Sequence, residues 1–163
     1  MSTPGDQRRD DSGGRSTSAN DPKPNKDLET IILGEGDKAA EKLIEVAKRI
    51  GEQLAEMRFS TSQIRNIFGI VRAIEQRASE GQGDRLDTGA YRDLVLLKPK
   101  LAYQYGRATN SGKERKKDAM ALLKDVLSEA NDLVEHDRAR FTHLVEFFEA
   151  ILAYHRAAEG AKR

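Results

Sequence analysis

Residues 59–74 read Phe-Ser-Thr-Ser-Gln-Ile-Arg-Asn-Ile-Phe-Gly-Ile-Val-Arg-Ala-Ile, and they leave the chain little choice of local structure. Ser60 and Gln63 stand three apart, the spacing of a capping box. The serine hydroxyl accepts from a free backbone N–H, and the glutamine side chain reaches back to the N–H of the cap. Ser60, Thr61 and Gln63 are therefore assigned to capping. Behind the cap, Ile64, Ile67, Phe68, Val71 and Ile74 fall on one face of a helix. Arg65 and Arg72 are seven apart and project together from another face, about two turns from one another. The apolar side belongs to a core. The basic side has no structural task of its own.

Helical spacing recurs along the rest of the chain. Leu43, Val46, Ala47, Ile50, Leu54 and Met57 form a stripe from Lys38 to about Met57. The capped helix follows, from about Ser62 to Ala78, and Gly81-Gln82-Gly83-Asp84 reads as a loop. Asp87 or Thr88 caps a segment that Pro99 interrupts. Proline has no N–H and clashes with the preceding turn, so a break or kink is expected there. Leu94, Leu97, Leu101 and Tyr105 share one stripe only if that kink is mild. A turn at Asn110-Ser111-Gly112 leads to a long helix from about Lys113 to Val134. The last helix, from about Asp137 to Ala158, carries Phe141, Leu144, Val145, Phe148, Ile151, Leu152 and His155 on one stripe. His155 reads as a satisfied core residue.

These patterns predict an all-α fold: a single five-helix bundle, one helix broken or kinked near Pro99, with a disordered N-terminal tail. The expected division is a polar tail at 1–26 and a helical domain at 27–160. The tail is Ser, Gly, Asp, Arg, Asn and Pro, too polar to offset its ordering entropy. Arg8, Arg9 and Arg15 would make a basic arm there, but Asp6, Asp10 and Asp11 largely cancel them. The stretch Leu28 to Ala39 permits two readings. Gly34-Glu35-Gly36 after an apolar run resembles a dinucleotide-binding turn, which needs a parallel sheet around it. The other reading is a short helix or turn, with Gly34 and Gly36 breaking the chain and Asp37 capping the next helix.

The 163 residues include no cysteine, which removes disulfides, thiolate metal sites and thiol nucleophiles. No signal peptide or membrane-length apolar run is present, so a soluble cytoplasmic protein without membrane contact is expected. His136, His143 and His155 lack the spacing of a helical metal site, and no nucleophile elbow or phosphate loop occurs. No catalytic residue, cofactor or metal is expected. Charged residues make up 34% of the chain, yet the net charge is only +1, so any face for nucleic acid must be local. The basic residues placed for such a face are Arg72, Lys100, Lys113, Arg115, Lys116 and Lys117. The last four crowd the start of a helix, where cations oppose the helix dipole. They are either a site for an anionic partner or a solvated run of charge.

Three blocks carry a family resemblance. Phe59-Ser60-Thr61-Ser62-Gln63-Ile64-Arg65 resembles the hydroxyl-rich Ser-Gln-Ile-Arg signature of the small subunit of type III-A CRISPR effector complexes, the Csm complexes. Leu97 to Arg107 is similar to that family's second block, with a basic residue near its start and a Tyr-x-x-Gly-Arg ending at Tyr103–Arg107. Phe147 to Tyr154 is similar to its C-terminal helix. The likeness spans about residues 38–158. The tail at 1–26 and Pro99 inside the second block depart from the pattern.

The resemblance implies a non-catalytic five-helix bundle, stacked in several copies beside the backbone subunits that carry the CRISPR RNA. It implies contact with the target RNA and its duplex with the guide, and with the large subunit, in defence against viruses and plasmids. Sequence would be read by guide pairing, and the protein would read phosphates. Arg65, Lys98 and Arg107 match basic positions of the motifs and are assigned to phosphate contact. Tyr103 stacks on a sugar or base, or packs at a helix interface. Competing readings are a helical protein–protein adaptor without RNA contact and a nucleotide-binding enzyme built on Gly34 and Gly36.

Overall fold

The computed structural model describes residues 25–110 and 112–161. Among them the chain forms six helices: α1 (Lys26–Leu33), α2 (Gly36–Glu56), α3 (Thr61–Ser79), α4 (Thr88–Asn110), α5 (Glu114–Val134) and α6 (Arg138–Ala161). The expected disorder of the tail, and the arm of Arg8, Arg9 and Arg15, lie outside the described residues.

The all-α expectation holds, but the count is six rather than five. The additional helix is α1, the second of the two readings of that stretch. Eight residues are too few to hold a helix alone in water. Leu28, Ile31 and Ile32 hold this one by burying themselves against α2, α5 and α6. Asn25 caps it, its side chain accepting from the N–H of Asp27 at 3.0 Å. With no strand among the described residues, the dinucleotide turn has no sheet to sit on. Gly34 ends α1, and Gly36 opens α2 at φ +77°. Asp37 is not the cap: Glu35 takes that place, with no side-chain bond.

At Pro99, where a break or a kink is expected, the break does not occur. Helix α4 runs from Thr88 to Asn110. Leu94, Leu97 and Leu101 are all buried, and Tyr105 packs against the core, so the stripe continues across the proline. Helix α5 supports this turn from outside. The Asn131 amide donates to the Leu94 carbonyl at 3.0 Å, and Asp132 pairs with Lys98. Asn131 is buried, and its Oδ1 has no partner among the described residues.

The capping box forms as the spacing requires. The N–H of Gln63 donates to Ser60 Oγ at 3.2 Å, and the N–H of Ser60 donates to Gln63 Oε1 at 3.3 Å. Asp87 and Asp137 cap α4 and α6, accepting from Ala90 and Arg140. Helices α2 and α6 form the most extensive contact of the bundle. Gly51 permits it: a Cβ there would lie 2.8 Å from the Ile151 carbonyl oxygen and the His155 nitrogen. His155 is fully buried, with Nε2 at 2.6 Å from the Phe59 carbonyl oxygen. A carbonyl only accepts, so Nε2 carries the proton, and Nδ1 has no partner among the described residues. At the far end of α3, Arg138 gathers the α3–α4 loop. Its guanidinium donates to the carbonyls of Ala78, Gly83 and Arg85, and Leu86 and Arg138 exchange backbone bonds with His136 and Asp84.

Candidate nucleic-acid interface

Helix α3 turns Ile64, Ile67, Val71, Ile74 and Ala78 into the core. That rotation leaves Ser62, Arg65, Asn66, Gly69 and Ala73 on a neighbouring strip, at i, i+3, i+4, i+7 and i+11. Helix α4 buries Leu94, Leu97, Leu101 and Ala108, and so presents Lys100, Gln104 and Arg107 along one side. The two strips face each other. Between them lies a cavity of about 710 Å³ lined by Ser62, Gln63, Arg65, Asn66, Gln104, Arg107 and, from α5, Lys116. Phe59, Ile67, Ala108 and Met120 close its floor.

This cavity is the middle of a longer groove. Through Arg65 and Asn66 it continues into a space of about 650 Å³ lined also by Lys100, Arg77 and Asp93. Through Gln63 and Lys116 it continues the other way into a space of about 710 Å³ bounded by Met57, Arg58, Lys113, Glu114 and Arg115. Only Asp93 and Glu114 oppose the cations of the whole run. Asp93 is already engaged by Arg77 at 2.6 Å. Arg65, Lys100, Arg107, Lys113, Arg115 and Lys116 have no ion pair or side-chain hydrogen bond among the described residues. Guanidinium and ammonium groups left in this state are donors without acceptors, suited to phosphate oxygens.

The structure thus brings together Arg65, Lys100, Arg107, Lys113, Arg115 and Lys116. Lys117, the next residue on α5, is half-buried and lines none of the three spaces. Arg72 stands at the groove's edge, held mainly by its own helix: its guanidinium lies 2.7 Å from Glu75 and 5.7 Å from the Phe68 ring centre of α3, and 3.8 Å from Glu149 of α6. Lys98 is on another side of α4. Two residues along a helix is a rotation of 200°, so Lys98 turns away from Lys100 and meets Asp132. Tyr103 is 65% exposed, beside Lys100 and Arg107 on the outer wall, and packs at no helix interface of this chain.

Groove residues missed in the sequence are Arg58, Arg77, Asn66 and Gln104. A signal existed for the last two. Asn66 falls between Ser62 and Gly69 on the strip beside the apolar stripe, and Gln104 is four residues from Lys100. Nothing in the sequence pairs α3 with α4, so the two strips could not be set face to face.

The fold and groove define a small all-helical module with a concave cationic face and no described helix long and apolar enough to cross a membrane. The Csm2 Type III-A family model matches residues 37–161, and the chain belongs to that family. It is thereby a small subunit of a type III-A CRISPR effector, part of the multi-subunit Csm complex. Among curated proteins and solved structures, none matches the chain.

Proposed function

We propose that this subunit lines the target-RNA channel of its effector complex and holds target phosphates along the α3–α4 groove. It does so in the cytoplasm, beside the guide-bearing backbone subunits, the large subunit and further copies of itself. One observation carries the reading. The chain has a net charge of +1, yet Arg65, Lys100, Arg107, Lys113, Arg115 and Lys116, none with an ion pair among the described residues, line one continuous groove in which only Asp93 and Glu114 are acidic. Arg65, Arg107 and Lys116 are the central contacts, with Lys100 to one side and Lys113 and Arg115 to the other. No catalytic step is assigned to the chain. Guide pairing selects the sequence, and the groove is indifferent to it.

The test is the salt dependence of binding by the full chain to a single-stranded RNA. Each phosphate neutralised contributes about −0.7 to the log–log slope. Arg65→Ala and Arg107→Ala each make the slope shallower by about that amount, with helical circular dichroism unchanged. Lys98→Ala and Arg72→Ala leave it alone, because Asp132 and the pair Glu75 and Glu149 already hold those cations. In the assembled complex the groove substitutions weaken target retention and spare guide loading. Unchanged slope and retention in both groove variants would leave the cations solvated, and the helical adaptor would take the reading's place.

A further inference from the structure

Arg58 stands where the backbone asks for glycine. Helix α2 ends in paired bonds: the N–H of Phe59 donates to the Leu54 carbonyl at 3.0 Å, and the N–H of Arg58 donates to the Ala55 carbonyl at 3.0 Å. This is the Schellman closure, whose second bond places the residue after the cap in the left-handed region. Arg58 has φ +59°. A side chain there meets the backbone, and glycine is the residue that escapes the cost.

The turn itself is fixed by its neighbour. Phe59 is buried on the core side, and its carbonyl is the partner of His155. The chain must therefore reverse here, whatever residue occupies position 58. The arginine side chain gives nothing back to the fold. It is exposed, and it has no ion pair or hydrogen bond among the described residues. The contrast is Glu135, the other non-glycine residue with positive φ among the described ones, which lies 3.7 Å from Arg140. Arg58 instead borders the end of the groove with Lys113, Arg115 and Lys116.

We infer that Arg58 is an RNA-contacting residue, held at a glycine position so that its guanidinium meets a phosphate of the strand leaving the groove beyond Lys116. The inference rests on the groove reading above and extends it from Lys113, Arg115 and Lys116 at the start of α5 to the C-terminal turn of α2. Arg58 belongs to no helix, and it lines the mouth of the groove together with Lys113, Arg115 and Lys116.

The test uses the full chain with Arg58→Gly and Arg58→Lys, measuring melting temperature and the salt dependence of single-stranded RNA binding. Arg58→Gly melts higher, by about 3 °C, because the backbone strain is relieved. It binds RNA about fivefold more weakly at 0.1 M salt, the worth of one lost phosphate contact, and its slope is shallower by about 0.7. Arg58→Lys restores the slope and melts with the native chain. A lower melting temperature for Arg58→Gly would make the arginine structural and overturn the inference. An unchanged slope in Arg58→Gly would also overturn it. If Arg65→Ala and Arg107→Ala still flatten the slope in that case, the groove reading survives alone. If they too are silent, both fall.

Discussion

Two seams divide this bundle, and each contains a mid-helix glycine. Along α2 and α6 the helices touch backbone to backbone. Gly51 is buried, and an added Cβ would fall 2.8 Å from three atoms of α6. Along α3 and α4 the helices meet only on their inner sides, and their outer sides diverge into the groove. Gly69 lies on that diverging side, and an added Cβ would meet nothing within 4 Å. Glycine is a poor helix former for the same entropic reason at both places. At Gly51 the cost is offset by the close approach of α6. At Gly69 nothing within the chain offsets it. The first seam serves the fold, and the second leaves a concave face between helices.

The contrast can be broken first at Gly51. Gly51→Ala forces backbone against backbone, where no flexible side chain can give way. A loss of about 2–3 kcal/mol is expected, within the range for overpacked cores, measured by urea unfolding. A change near zero would mean that α2 and α6 slide apart easily and that the seam is not rigid. Next is the cap that starts the groove wall. Ser60→Ala removes the acceptor for the Gln63 N–H and the hydroxyl's own bond to Gln63 Oε1 while keeping the return bond from the backbone N–H, costing about 1 kcal/mol. RNA binding follows only as far as α3 is displaced. Lost binding at unchanged stability would make the hydroxyl a ligand instead. The smallest effect has the opposite sign. Gly69→Ala stabilises by about 0.5–1 kcal/mol, the propensity difference for an exposed helix interior. Destabilisation there would show that the open side of α3 is packed after all.

Much of this architecture was legible in the residues. The stripes of α2, α3, α5 and α6 are regular, the cap Ser60 is a strong local signal, and Asp87 is one of two caps the sequence offers for α4. What escaped was whatever depends on a neighbour. Helix α1 exists because Leu28, Ile31 and Ile32 find a surface to cover. Helix α4 continues past Pro99 with Asn131 and Asp132 of α5 bonded to the turn before it. A proline there permits a break or a kink, and packing against α5 favours the continuous helix over the break. The groove divides in the same way. Arg65 and Arg107 were singled out by motif, and the run from Lys113 by its crowding. That they form one face with Arg58, while Lys98 turns toward Asp132, follows from helix rotation and pairing, which spacing alone does not give.

The Arg138 clamp has a consequence for how the molecule opens. One guanidinium and two backbone bonds join the α3–α4 loop to the first turn of α6. The amide of Leu86 is bonded to the α5–α6 turn at 2.8 Å, and that of Arg138 to Asp84 at 2.9 Å. Each proton exchanges with solvent water only when its own bond opens, and the Arg138 guanidinium, bonded to the same loop, opposes both openings. The two amides are expected to be protected together in hydrogen exchange, although one lies in the α3–α4 loop and the other at the start of α6. Local fluctuations of α3 and α4 are pinned at this end. The cationic mouth lies at the opposite end, by the start of α5.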